Sequence, residues 1–305
     1  MIRINFFLFG LLLTLVQLNG QSEFQQFNDL LSKGDTAVQL KFLEKWESSK
    51  RNDPDLYVAY FNYYYKKSMK EIIRIEKSYP GKNKQAIQIV DTLTKEPEGY
   101  LYSDIYLIPE VIKKGLDYID IGIKNFPSRL DMRFGKVYVL GQMNDYDSFT
   151  KEIINTIDYS DIIKNNWLWK DGQPLMDAKK FMLGTIQNYQ NQIYNAGNDS
   201  LLKNMGSIAR EVIKFYPDNI ENLSNLAVVY LIQNNNKDAL ELLLRAEKIN
   251  PQDCIVLNNI AQTYFRLGDK SNSIKYLNLV LKYGNADEKQ SAKEKIDKIQ
   301  KLQIN

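Results

Sequence analysis

The chain has 305 residues, 44% of them hydrophobic and 25% charged, which is enough apolar mass for a sizeable core and too much for an intrinsically disordered polypeptide. Its 40 basic and 37 acidic residues leave a net charge of +3 with lysine and glutamate interspersed, so the clustered basic stripe that nucleic-acid binding needs is missing. Histidine is absent altogether, which removes Ser-His-Asp and Cys-His catalysis and the usual zinc and non-haem iron ligand sets, and no glycine-rich phosphate loop or acidic calcium-loop spacing is found either.

The first 22 residues stand apart. Arg3 precedes an apolar run from Phe6 to Leu18 that ends at Gly20 and Ser22, the layout of a secretory signal peptide with cleavage expected after Ser22. Thirteen apolar residues fall short of the roughly 20 that span a bilayer, so no stable membrane anchor is expected once the leader is removed. The only cysteine, Cys254, lies far from the leader, which leaves no thiol there for a lipid and none for an intrachain disulfide. The product is expected to be exported, to the periplasm or the exterior, and to rely on packing alone.

From residue 23 to 160 the sequence predicts a degenerate helical region. Ala37 to Ser49 and Tyr57 to Lys70 read as helices around Pro54, and Leu130 to Gln142 reads as one after Pro127. Asn144-Asp145 then turns the chain into a helix that faces Phe149, Ile153 and Ile157 inward. Proline lacks an amide hydrogen and restrains the residue before it, so Pro54, Pro127, Pro217 and Pro251 each mark the end of one helix and the start of another. Within this region Ala86 to Thr94 alternates apolar and polar residues, passes Glu96-Pro97-Glu98-Gly99 and resumes at Tyr100-Leu101-Tyr102, the pattern of a short β-hairpin near 86–106. Residues 161–185 read as a connecting loop, with Trp167, Leu168 and Trp169, followed by helix.

Beyond residue 186 the chain matches itself at an offset of 34 residues. Pro217 aligns with Pro251, Asn219 with Asp253, Leu223 with Leu257, Asn225-Leu226-Ala227 with Asn259-Ile260-Ala261, Tyr230 with Tyr264, Leu243 with Leu277 and Ala246 with Val280. Each unit places Leu223, Leu226, Ala227 and Tyr230, or their counterparts, at helical spacing, turns at Asn234-Asn235-Asn236 or Gly268-Asp269, and continues into a second helix. A preceding unit is read from Ile186 through Tyr194 and from Asp199 to Tyr216. The charged segment 286–305, with Ile296, Ile299 and Leu302 on one stripe, is expected to cap the array.

In these positions the chain resembles the tetratricopeptide repeat (TPR) family, most specifically over 220–285. The resemblance implies an all-α, right-handed superhelical solenoid of helix-turn-helix repeats, and a groove, lined by the first helix of each unit, that grips a peptide or protein partner. It places Ser224, Asn225, Val228 and Leu231 on that groove, followed by Asn258, Asn259, Gln262, Phe265 and Arg266. Asn225 and Asn259 are equivalent, and side-chain amides with a donor and an acceptor pair with an extended backbone of any sequence; bonding to the neighbouring helix is the equal alternative. Val228 and Gln262 stand where family members that clamp a C-terminal carboxylate have asparagine, and Ser224 and Asn258 where they have lysine, so that clamp is not carried over.

No cofactor, metal or catalysis is expected. Carboxylate-only glycoside hydrolysis survives the absence of histidine, with Asp117 and Asp120, or Asp158 and Asp161, as the nearest pairs, but i, i+3 carboxylates mostly decorate a solvated helix face. The crowding of Tyr57, Tyr60, Phe61, Tyr63, Tyr64 and Tyr65 on one helix, with Trp167 and Trp169 elsewhere, keeps a glycan-binding alternative open, although so wide an aromatic arc has to be partly core. A looser likeness to helical-repeat glycan-capture lipoproteins fails on the lipidated cysteine and on length.

Overall fold

The computed structural model describes residues 21–80 and 84–304, with side chains to residue 301. Residues 1–20 of the expected leader, and the Leu302 side chain of the expected capping stripe, lie outside what it describes. Among the described residues the helices fall into successive antiparallel pairs. They are α1 (Glu23–Lys33) with α2 (Thr36–Ser49), α3 (Pro54–Ser68) with α4 (Pro109–Asn125), α5 (Leu130–Gln142) with α6 (Tyr146–Ile162), α7 (Ala178–Asn195) with α8 (Leu202–Phe215), α9 (Ile220–Ile232) with α10 (Asn236–Ile249), and α11 (Cys254–Arg266) with α12 (Lys270–Tyr283); α13 (Ala286–Ile304) closes the array. The fold is an all-α solenoid with small sheet insertions.

Two backbone devices recur along it. At each proline joint the residue that ends one helix accepts a hydrogen bond from the residue that opens the next: Lys50 from Asp53 at 3.0 Å, Phe126 from Arg129 at 3.0 Å, Tyr216 from Asn219 at 3.0 Å and Asn250 from Asp253 at 3.2 Å. Side chains of Asp53, Asn219 and Asp253 also cap the orphaned amides of α3, α9 and α11. Inside the pairs, Asn144, Asn234 and Gly268 take left-handed φ values of 57°, 60° and 83°, which asparagine and glycine tolerate best. The next amide in each case reaches back over the turn, Asp145 to Leu140 at 3.0 Å, Asn235 to Tyr230 at 2.8 Å and Asp269 to Tyr264 at 2.9 Å.

The structure departs from the sequence reading between α3 and α4. The helix expected to run to Lys70 stops at Ser68, and the expected hairpin, β2 (Ala86–Val90) with β3 (Pro97–Leu107), is joined by a further strand, β1 (Met69–Glu76). The order β1-β3-β2 makes one antiparallel sheet. It replaces the turn of an otherwise ordinary pair, because α3 and α4 still pack closely: a Cβ on Gly122 would fall 2.8 Å from the Tyr57 Cβ, and one on Gly115 3.0 Å from that of Tyr64. A second insertion follows α6, where β4 (Leu168–Trp169) pairs with β5 (Gln173–Pro174). Leu168 donates to the Ser128 carbonyl at 2.9 Å, so this loop is tied to the joint before α5 and buries Trp167 against Tyr159.

The core changes character along the array. Around α9 to α13 it is small and aliphatic, with Ala227, Ala239, Ala246 and Ala261 between Leu223, Leu243, Leu257, Ile260 and Leu277. Around α1 to α4 it is aromatic, and Tyr60 stacks on Tyr118 with ring centroids 4.0 Å apart. The third pair buries an ion network: Arg133 donates to Glu152 at 2.9 Å, and Lys136 bridges Glu152 at 3.0 Å and Asp120 at 2.6 Å. Burial works against the Lys136 ammonium, yet Asp120 and Glu152 hold its pKa above the ordinary lysine value.

Candidate functional site

The first helices of the pairs stand side by side, and each contributes residues at i, i+4, i+7 and i+11 that the neighbouring helices leave uncovered. On α5 these are Asp131, Gly135, Tyr138 and Gln142; on α7, Lys180, Gly184, Gln187 and Asn191. On α9 they are Glu221, Asn225, Val228 and Ile232, and on α11 Ile255, Asn259, Gln262 and Arg266. None of these sixteen residues is buried, whereas the positions between them carry the core. The result is one shared strip that crosses four helices, rich in neutral amides from α7 onward.

The residues expected to line the groove separate into two groups. Asn225 donates to Gln187 at 2.8 Å and Gln190 at 3.1 Å, so its amide braces α9 against α7, the neighbouring-helix alternative. Ser224 and Leu231 are buried, Leu231 in the core rather than on the groove, Asn258 accepts from Lys295 of α13 at 2.7 Å, and Arg266 donates to the Leu231 carbonyl at the end of α9 at 2.6 Å. Left facing solvent are Val228, Asn259, Gln262 and Phe265, and among the described residues no hydrogen bond engages the side-chain amides of Asn259 and Gln262. Asn225 and Asn259, equivalent in sequence, thus differ in availability: the end of the row is open and its middle is braced.

A cleft of about 1290 Å³ opens one unit earlier, between α7, the segment before it and the start of α9. Lys180, Gly184, Gln187 and Glu221 of the strip line it together with Phe181 and Asn188. A Cβ on Gly184 would meet nothing within 4 Å, so the glycine widens this stretch of the groove rather than serving close packing. Gln187 both accepts from Asn225 and donates to Asn191 at 3.1 Å, which chains the amides of α7 to that of α9. Toward the N-terminus the strip ends at Tyr138, half exposed and edge-on to Tyr65 at 6.3 Å; burial, then the bond to Tyr138, pushes the Tyr65 hydroxyl pKa up.

Residues 256–284 match the family model of the tetratricopeptide repeat. A tetratricopeptide repeat is thereby recognised across α11 and α12. Solved tetratricopeptide-repeat structures align with the chain at low identity. YrrB, described as a TPR protein with an unusual peptide-binding site, is 11% identical, with 83% of this chain and 97% of that one covered and a TM-score of 0.39. TTC0263 of Thermus thermophilus, described as a thermophilic TPR protein, is 10% identical over 91% and 96% of the two chains with a TM-score of 0.31. The TPR domain of P58(IPK) is 12% identical over 92% and 64% with a TM-score of 0.32. No curated protein matches the sequence.

The aromatic residues of the glycan-binding alternative are mostly interior. Tyr57, Tyr60, Phe61, Tyr63 and Trp167 are buried, and Trp169 is half-buried edge-on to Phe181 at 4.9 Å, so they form no open platform for a sugar. The candidate carboxylates are solvated and mostly paired: Asp120 with Lys136, Asp161 with Lys164 at 3.1 Å and Asp158 with Lys214 at 3.8 Å. None of them, and not Asp117, lines the cleft. Burial and a shared hydrogen bond with Glu211 raise the Asp158 pKa, a like-charge effect on the outer side of α6 and α8. Among the described residues no helix is long and apolar enough to cross a membrane.

Proposed function

We propose that the protein is a non-catalytic scaffold that holds an extended peptide segment of a protein partner across the first-helix strip, from the cleft beside Gly184 to Asn259 and Gln262. The observation that carries the reading is the pairing of a braced amide row with free amides at its end. Asn225, Gln187 and Asn191 satisfy one another, whereas Asn259 and Gln262 present donors and acceptors to solvent beside the half-exposed ring of Phe265. An extended backbone has donors and acceptors in the same alternation, and the absence of a cationic clamp favours an internal segment over a free carboxylate.

Export completes the proposal. The leader pattern supports it, and Gln21 and Ser22 bear on where the cut falls. Ser22 caps α1 in a reciprocal box with Gln25, and the Gln21 amide donates to Asp29 at 2.8 Å. Cleavage after Gly20 preserves both contacts, whereas the cut first expected, after Ser22, removes them. N-terminal sequencing of the exported protein should therefore begin at Gln21; recovery of the chain only from the cytoplasm, still starting at Met1, would contradict export. Binding is tested by capture from an envelope extract on immobilised residues 21–305. Asn259→Ala with Gln262→Ala and Phe265→Ala is expected to lower capture of a given partner about tenfold or more. Equal capture would remove the groove from the account while leaving the fold intact.

A further inference from the structure

The sheet between α3 and α4 has two unlike edges. β2 has five residues and shifts register between Ile89 and Val90, where it meets Pro97, so a bulge and a proline blunt that side. β1 is the opposite edge: eight residues, no proline and an unbroken register from Met69 to Glu76. Among the described residues the backbone groups of Lys70 to Glu76 that point away from β3 have no partner. The two faces also differ. One is closed by Arg74 and Lys84, each 2.8 Å from Asp104, with the Lys84 ammonium over the Tyr102 ring. The other carries Ile73, Ile75, Ile87 and Ile105 at 73%, 68%, 68% and 47% exposure, four exposed isoleucines on one sheet face.

The charges along β1 single out an occupant for this edge. When a strand pairs antiparallel with its own copy about a two-fold axis normal to the sheet, opposed residues share a face and their numbers add to an even sum. With the axis at Ile73, Lys70 stands opposite Glu76 of the second copy, twice by symmetry, and Ile73 meets Ile73. Sliding by two residues one way sets Lys70 against Arg74, and the other way sets Arg74 against Arg74, so repulsion disfavours both neighbouring registers. We propose that the chain associates with a second copy of itself through β1 in this register, which merges two three-stranded sheets into one antiparallel sheet and joins Ile73 and Ile75 of both copies in a single aliphatic stripe. A strand-to-strand contact of this length covers less than the ~800 Å² per partner of a standard interface, so the association is weak and depends on concentration.

This surface is separate from the groove, and its failure leaves the binding proposal untouched. The test is sedimentation velocity of residues 21–305 at rising concentration, with circular dichroism to check that each variant folds. Lys70 and Glu76 are solvent-exposed, so reversing their charges spares the core. The mass is expected to move from one chain toward two; Lys70→Glu should weaken association about tenfold, and Lys70→Glu with Glu76→Lys should restore it. A protein that stays monomeric at every concentration, including one that takes up vesicles or a peptide strand instead, would overturn the proposal. So would a Lys70→Glu variant that dimerises as tightly as the unaltered chain, or a double variant that fails to recover.

Discussion

The pairs α9–α10 and α11–α12 keep both the residues and the backbone of the repeat, whereas α5–α6 keeps only the backbone and α3–α4 only its proline joints. The joint bond from Asp253 to Asn250 has a counterpart of the same kind from Arg129 to Phe126, although the latter joint has no Asx cap. Arg129 instead turns its buried guanidinium onto Asp55 at 2.7 Å and onto both oxygens of Asp131. Close helix contact is likewise reached by different residues, alanines on α9, α10 and α11 of the C-terminal pairs and glycines on α4 of the N-terminal one. Joint geometry is therefore what the pairs share, and the turn and the core chemistry are exchangeable around it.

The comparison breaks most sharply at the buried ions of α5 and α6. Glu152→Ala leaves Arg133, 5% exposed, without its carboxylate, and is expected to cost about 3–5 kcal/mol in urea unfolding. A cost below about 1 kcal/mol would mean that the network behaves as a surface ion pair. Next in size are two helical glycines, one on α4 and one on α7. Gly122→Ala drives a methyl against Tyr57 and should destabilise by about 1–3 kcal/mol. Gly184→Ala meets open space and should be neutral or stabilising by up to about 1 kcal/mol through helix propensity alone. Equal effects in thermal unfolding would contradict the roles assigned to the two positions.

Much of this was legible in the sequence, and what was not has a physical reason. Proline joints, Asx turns and the helices α5 and α9 to α12 could be read because those signals are local. The union of α3 with α4 could not, since Met69 to Ile108 separates two faces that meet only in space, and the adjacent Ile72 and Ile73 blur the alternation of β1. At the candidate site, the register with the repeat points to Asn259, Gln262 and Phe265, and none of the three is buried. The bracing of Asn225 stood in the sequence as one of two equal alternatives, because the choice depends on the position of α7, whose N-terminal Asp177 gives no side-chain cap. The cleft beside Gly184 was missed for the same reason.

The smallest expected effect belongs to the C-terminal region. Burial first, then the charge and hydrogen bond of Glu247, push the Tyr276 hydroxyl up to about 12 from 10.0. The folded chain therefore keeps this proton where the unfolded chain loses it, so stability falls as pH rises from 10 through about 12. Tyr276→Phe should flatten that part of a melting profile; an unchanged slope would mean that Tyr276 does not carry it.

The central claim is that a partner lies along the first helices. Hydrogen exchange of residues 21–305, alone and saturated with the partner recovered by capture, tests it directly. Added protection is expected on the strip of α7, α9 and α11, with α8, α10 and the inserted sheet unchanged. Protection confined to the second helices or to the sheet would contradict it.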